Sequence, residues 1–250
     1  MIAAIAPRPA RQPASRFAVA VLVALAAVVT LGAGLTLARP DPLPGPEMAP
    51  LPVTLLDGRR LSVQRYEVTV AEWNRCHNEG SCELALTAPE GFDPQTTPAT
   101  GLNYLDVQQY LAWFNRRSRG GYRLPSAAEW QAMAESVLPE APDPIFTDPN
   151  LRWASAYLLE NEAPRQLRPQ GAFSVSPQGV VDLDGSVWEW TSDCVQGSDV
   201  PTDRCAAFFV GGEHMATLSY LVRDPARGGC AVGTPPAHLG MRLVADDGRS

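Results

Sequence analysis

Apolar and polar positions alternate along this chain with two periods, and each period marks a different kind of element. Thr69 and Glu72 stand three residues apart ahead of an apolar run, a spacing that lets each side chain cap the other's backbone N–H, so a helix is expected from about Val70 to the Cys76 region. Asn103 caps a longer helix in which Tyr104, Val107, Tyr110, Leu111 and Phe114 recur at helical spacing until Gly120-Gly121 stops it. Ser126 with Glu129 opens a third, with Trp130, Met133, Ala134 and Val137 on one face. Short strands are expected at Tyr122 to Leu124, Val187 to Trp190, Ala207 to Val210 and Gly240 to Val244, separated by Gly and Pro turns. From Ala141 to Pro177 little periodicity remains, and the segment reads as long ordered loops. The pattern is that of an α+β domain, loop-rich, with few helices and small antiparallel sheets.

The N-terminus has another character. Phe17 to Leu37 is uncharged and apolar throughout, long enough at about 1.5 Å per residue to cross a hydrocarbon layer of about 30 Å. Arg8, Arg11 and Arg16 precede it, and only Arg39 follows before the prolines, so the positive-inside rule keeps the tail in the cytoplasm and exports the rest. A cleaved signal peptide, with Thr36-Leu-Ala38 as its processing site, is the competing reading. Both place the domain outside the cytoplasm, in the periplasm or beyond. The expected organisation is a cytoplasmic tail over 1–16, a transmembrane anchor over 17–37, a Pro-rich linker over 38–58 and a folded domain over 59–246.

Composition narrows the chemistry. A net charge of −7 leaves no basic face to displace counterions from phosphates, which argues against nucleic acid as a partner. All 20 basic residues are Arg, so a Schiff base, a phosphate-loop Lys and a Lys general base are excluded. No Gly-x-Ser-x-Gly turn marks a serine hydrolase. Five Cys in an exported chain imply disulfides with one thiol over. Cys76 with Cys82 and Cys194 with Cys205 have the spacing of local loop staples and leave Cys230 free, although spacing alone permits Cys230 to replace Cys194 or Cys205.

Gly179-Val-Val-Asp-Leu-Asp-Gly-Ser-Val-Trp-Glu-Trp-Thr-Ser-Asp193 resembles the signature of the formylglycine-generating, or sulfatase-modifying-factor, family. Similar blocks occur in order at Tyr66-Glu-Val-Thr-Val-Ala-Glu-Trp73, Gly121-Tyr-Arg-Leu-Pro-Ser-Ala-Ala-Glu-Trp130, Val210-Gly-Gly212 and Leu239-Gly-Met-Arg-Leu-Val244. The resemblance implies a C-type-lectin-like architecture. It also implies core packing for Trp113, Trp130, Trp188 and Trp190, and buried pairing for the motif charges Arg123, Glu129 and Arg242.

In the oxidase members of that family two Cys shortly after the Gly-Gly block hold Cu(I), which soft thiolates suit. The matching stretch here, Gly211 to Arg223, contains no Cys, so copper is not expected. A sister branch holds iron with three His, but His77, His214 and His238 are scattered and default to surface roles. The family's calcium turn corresponds to Asp184, Ser186 and Glu189, whose hard oxygens suit Ca²⁺, with Ser186 replacing the usual Asn. Binding is expected at the loop from Glu213 to Arg223, through Glu213, His214, Tyr220 and Arg223. The expected function is that of a membrane-anchored binding or maturation accessory for an extracytoplasmic protein, peptide or glycan. An oxygen-dependent maturation enzyme with non-standard ligands, such as His214 and Cys230, is the alternative.

Overall fold

The computed structural model describes residues 41–118, 120–138, 145–148, 151, 166–197, 199–223 and 238–247. The three expected helices lie where their caps place them: α1 at Val70–Asn78, α2 at Tyr104–Ser118 and α3 at Ala127–Ala134. Thr69 and Glu72 make a reciprocal capping box, as do Ser126 and Glu129. Asn103 and Asp106 exchange the same two bonds at the start of α2, at 2.9 and 2.8 Å.

Two small sheets each pack against their own apolar cluster. One is antiparallel, formed by β1 (Val53–Thr54), β2 (Arg60–Val63) and β7 (Val244–Asp246) in that spatial order. The other runs β5-β4-β3-β6, from β3 (Trp188–Cys194), β4 (Ala207–Gly211), β5 (Met215–Ser219) and β6 (Leu239–Gly240). Contrary to the expectation of antiparallel sheets only, β3 and β6 pair in parallel. The expected single strand over 240–244 divides into β6 and β7, which belong to different sheets. Residues 241–243 carry the chain across, so Arg242 lies at the junction of the two. The expected strand at Tyr122 to Leu124 is a single bridge from Arg123 to Val244.

Two stretches differ from the sequence reading. The compact unit begins at Pro42, and Val53 and Leu55 are core residues, so the linker does not extend to residue 58. The Pro-rich stretch is bonded onto the domain through Leu43 N–H to Arg117 C=O, Ala49 N–H to Val63 C=O and Arg65 N–H to Glu47 C=O. Within the stretch from Glu213 to Arg223, Met215–Ser219 is strand rather than loop. Ala216 and Leu218 are buried while Thr217 and Ser219 are exposed, the period-two pattern of a half-buried hairpin arm.

Each buried Trp lies in the core with its indole N–H bonded where a partner is near. Trp73 donates to Leu84 C=O, Trp190 to Leu102 C=O, Trp113 to Glu79 and Trp130 to Glu189, all at 2.8 Å. Trp73 also stacks on Tyr110 of α2, with centroids 5.3 Å apart, joining α1 to α2. Much of the expected loop region, over 141–165, falls outside the described residues, and no helix among the described residues is long and apolar enough to cross a membrane.

Candidate functional site

The turn before β3 works as a clamp. Asp182 adopts a left-handed conformation (φ 63°), and its carboxylate accepts from the backbone N–H groups of Gly171 and Phe173. Asp184 accepts from the N–H and hydroxyl of Ser174 at 3.0 and 2.6 Å, and Ser186 Oγ accepts from Arg168 N–H at 3.3 Å. Together they hold residues 168–174 against the turn. Gly185 is required at its centre, because a Cβ there would lie 2.7 Å from Asp182 C=O and 3.1 Å from the Phe173 ring. A cavity of about 410 Å³ opens beside the clamp, lined by Gln166, Arg168, Phe173, Asp184, Gly185, Ser186 and Glu213.

Behind it lies a buried charge cluster. Arg242, at the sheet junction, donates from Nε to both Glu189 oxygens and from its terminal nitrogens to the carbonyls of Gln64, Arg65 and Val181. Glu67 Oε2 lies 3.7 Å from Arg242, within ion-pair reach but without a hydrogen bond. Burial pushes the Glu67 carboxyl up to about 8; Arg242 opposes this, and the charges of Glu189 and Asp182 add to it. A second pair, Arg123 with Glu129 at 2.6 Å, joins α3 to the β7 edge through Asp246.

The Gly-Gly step at the end of β4 must be glycine because two indoles leave no room for side chains: a Cβ on Gly211 would enter the Trp130 ring, and one on Gly212 the Trp188 ring. Beyond it Glu213 is exposed at the cavity rim and His214 meets Trp188 edge-on, with ring centroids 4.7 Å apart. Tyr220 and Arg223 follow at the other end of β5. Arg223 makes a two-bond ion pair with buried Asp106, both bonds 2.7 Å. The four expected contact residues are therefore not one constellation: Glu213 and His214 share the cavity end of the hairpin, and Tyr220 and Arg223 anchor its return against α2.

A family model for the sulfatase-modifying factor enzyme 1-like domain matches residues 20–247. The chain belongs to this family. Among its curated relatives, a hercynine oxygenase from Mycolicibacterium thermoresistibile is 28% identical over 56% of this chain and 37% of its own length. A formylglycine-generating enzyme from Mycobacterium tuberculosis is 26% identical over 60% of this chain and 57% of its own. The chain thus spans well under two thirds of these relatives. The solved structure of PvdO from Pseudomonas aeruginosa shares the fold, with a TM-score of 0.51 at 17% identity, over 82% of this chain and 92% of that one.

Within this sulfatase-modifying-factor domain the donor sets decide which metals fit. A copper site of the family's kind needs two thiolates. Cys76–Cys82 and Cys194–Cys205 are disulfides, as their spacing implied, which leaves one thiol, Cys230, outside the described residues. Asp184, Ser186 and Glu189 do not offer calcium a shared set of oxygens. Glu189 is spent on Arg242 and Trp130, and Asp184 and Ser186 on the clamp. The described residues contain no cluster of three His, Cys, Asp or Glu side chains arranged to hold a metal.

The sequence reading assigned Glu189 to calcium because it follows an acidic turn. The available signal was its setting: a lone carboxylate between Trp188 and Trp190, opposite a lone cation in the Met241-Arg242-Leu243 run. Asp106, Gln166, Arg168 and Phe173 were missed because only the fold brings them to the hairpin and the clamp.

Proposed function

We propose that this chain is an exported, membrane-anchored sulfatase-modifying-factor domain that binds rather than oxidises, serving as a binding or maturation accessory for an extracytoplasmic protein, peptide or glycan. One observation carries the reading: four of the five Cys are consumed in two disulfides, and the hairpin beyond Gly212 contains none, so the chain cannot supply a thiolate pair. The disulfides also support an oxidising compartment, and the Arg-flanked apolar stretch supports an anchor with the domain outside. The open cavity between the clamp and Glu213, lined by polar groups together with Phe173, is the surface a ligand would use.

The test is incubation of the full chain, loaded with Cu(I), with a Cys-x-Pro-x-Arg peptide in air, followed by aldehyde-specific labelling. No labelling above background is expected; copper-dependent labelling overturns the reading. The names of the relatives favour a second reading, an oxygen-dependent enzyme with non-standard ligands. It requires stoichiometric copper or iron in the purified protein.

A further inference from the structure

We propose that a second, separate pocket, where the docked Pro-rich segment meets the start of α1, binds a single neutral sugar residue. About 180 Å³ in volume, it is lined by Glu47, Gln64, Tyr66, Thr69, Glu72, Arg75, Gln95 and Gln170. At about 30 Å³ per water it has room for some six waters, about the size of one sugar ring or a similar polyol.

Two amides at this pocket are held in fixed orientations by bonds to the backbone. Gln64, only 4% exposed, accepts the Leu243 N–H at 3.0 Å through Oε1, so its NH₂ is the free end. Among the described residues that nitrogen has no hydrogen-bond partner, and it is not among the side-chain atoms sealed from solvent, so it is a positioned donor open to the pocket. Gln170 is oriented the opposite way: its NH₂ donates to Glu67 C=O at 2.9 Å, which leaves its Oε1 as an acceptor. Glu72 uses Oε2 in the α1 capping box and keeps Oε1. Arg75, exposed on α1, forms no ion pair among the described residues.

The charges select the ligand class. An anion would meet Glu47 and Glu72, and a cation would meet Arg75 and the Gln64 NH₂. Hydroxyl groups, which donate and accept at once, satisfy fixed donors and fixed acceptors together, and Tyr66 supplies an aromatic body with a hydroxyl tip. None of these residues lines the Glu213 cavity, so the site does not rest on the reading of that cavity.

The experiment is saturation-transfer NMR and calorimetry on the full chain, in a detergent without a sugar headgroup, with glucose, galactose, mannose and N-acetylglucosamine. At least one should bind saturably, with a Kd of about 1 mM or below. Gln64→Glu keeps the acceptor for Leu243 and replaces the donor, and should abolish binding. Should that variant melt early, Tyr66→Phe and Arg75→Gln, which touch no core contact, should each weaken binding about tenfold with melting unchanged. The proposal is overturned if no sugar saturates, if the folded variants bind as the parent does, or if glycerol or glycyl-glycinamide binds equally well.

Discussion

Arg242 and Glu189 face each other with essentially no solvent between them: Nε reaches the two carboxylate oxygens at 2.9 and 3.2 Å, and the side chains are 0% and 1% exposed. The pair lies where β6 of one sheet gives way to β7 of the other, and the remaining guanidinium N–H groups bond three carbonyls, two just beyond β2 and one beside the clamp. It is therefore the polar rivet between the sheets. Removing one partner strands the other charge in a dry site, so Arg242→Met should cost about 3 to 5 kcal/mol in denaturant unfolding. A loss below about 1 kcal/mol would show that the sheets are held by apolar packing alone.

Glu67 gives the domain a pH dependence of definite sign. Its carboxyl is raised from 4.5 to about 8, so between those values the folded protein holds a proton that the unfolded chain releases. The contribution is complete below the unfolded value and is lost as pH rises through the folded one. Melting temperature should fall from pH 5 to pH 8 in the parent, and Glu67→Gln should flatten that limb. An unchanged limb would place the proton elsewhere.

Glu129 should act at the acid end. Burial opposes its charged form, yet Arg123 and the Ser126 N–H hold its carboxyl below the usual range. Its contribution is present above the ordinary carboxylate range and is lost as pH falls. A Glu129→Gln variant should lose stability at neutral pH and lose less than the parent on acidification, read by thermal melting.

Gly212 should tolerate no side chain. A Cβ there enters the Trp188 ring, which is itself wholly buried, so neither group can yield cheaply. Gly212→Ala should destabilise by about 1 to 3 kcal/mol and shift the near-ultraviolet signal of the indoles. Parent-like stability would mean that Trp188 has room to move.

Arg223 is an anchor in this fold, although sequence position made it a contact residue. Its side chain is about half exposed, so screening limits Arg223→Ala to a loss of about 1 kcal/mol. Asp106→Ala should cost more, about 2 kcal/mol, since the buried carboxylate also caps α2 through Asn103 N–H. Equal losses in unfolding experiments would contradict this division of roles.

Local rules sufficed for whatever is local. The three helix starts were legible because a capping box is written in residues three apart, and the two disulfides because closing a loop of 6 or 11 residues needs no distant partner. Family membership was legible because its motifs are contiguous blocks. Apolar alternation at Ala216 and Leu218 was also present in the sequence, but a loop expectation placed over it concealed β5. Contacts between distant segments were decided by the fold alone. Glu189 pairs with Arg242 across 53 residues, Asp106 with Arg223 across 117, and Gln64 with the Leu243 N–H across 179. A carboxylate beside a turn is a metal ligand or an ion-pair partner according to what the chain returns to it. For Glu189 that is a buried guanidinium; the Gln64 amide likewise takes its orientation from a distant backbone N–H, which leaves its NH₂ at a pocket.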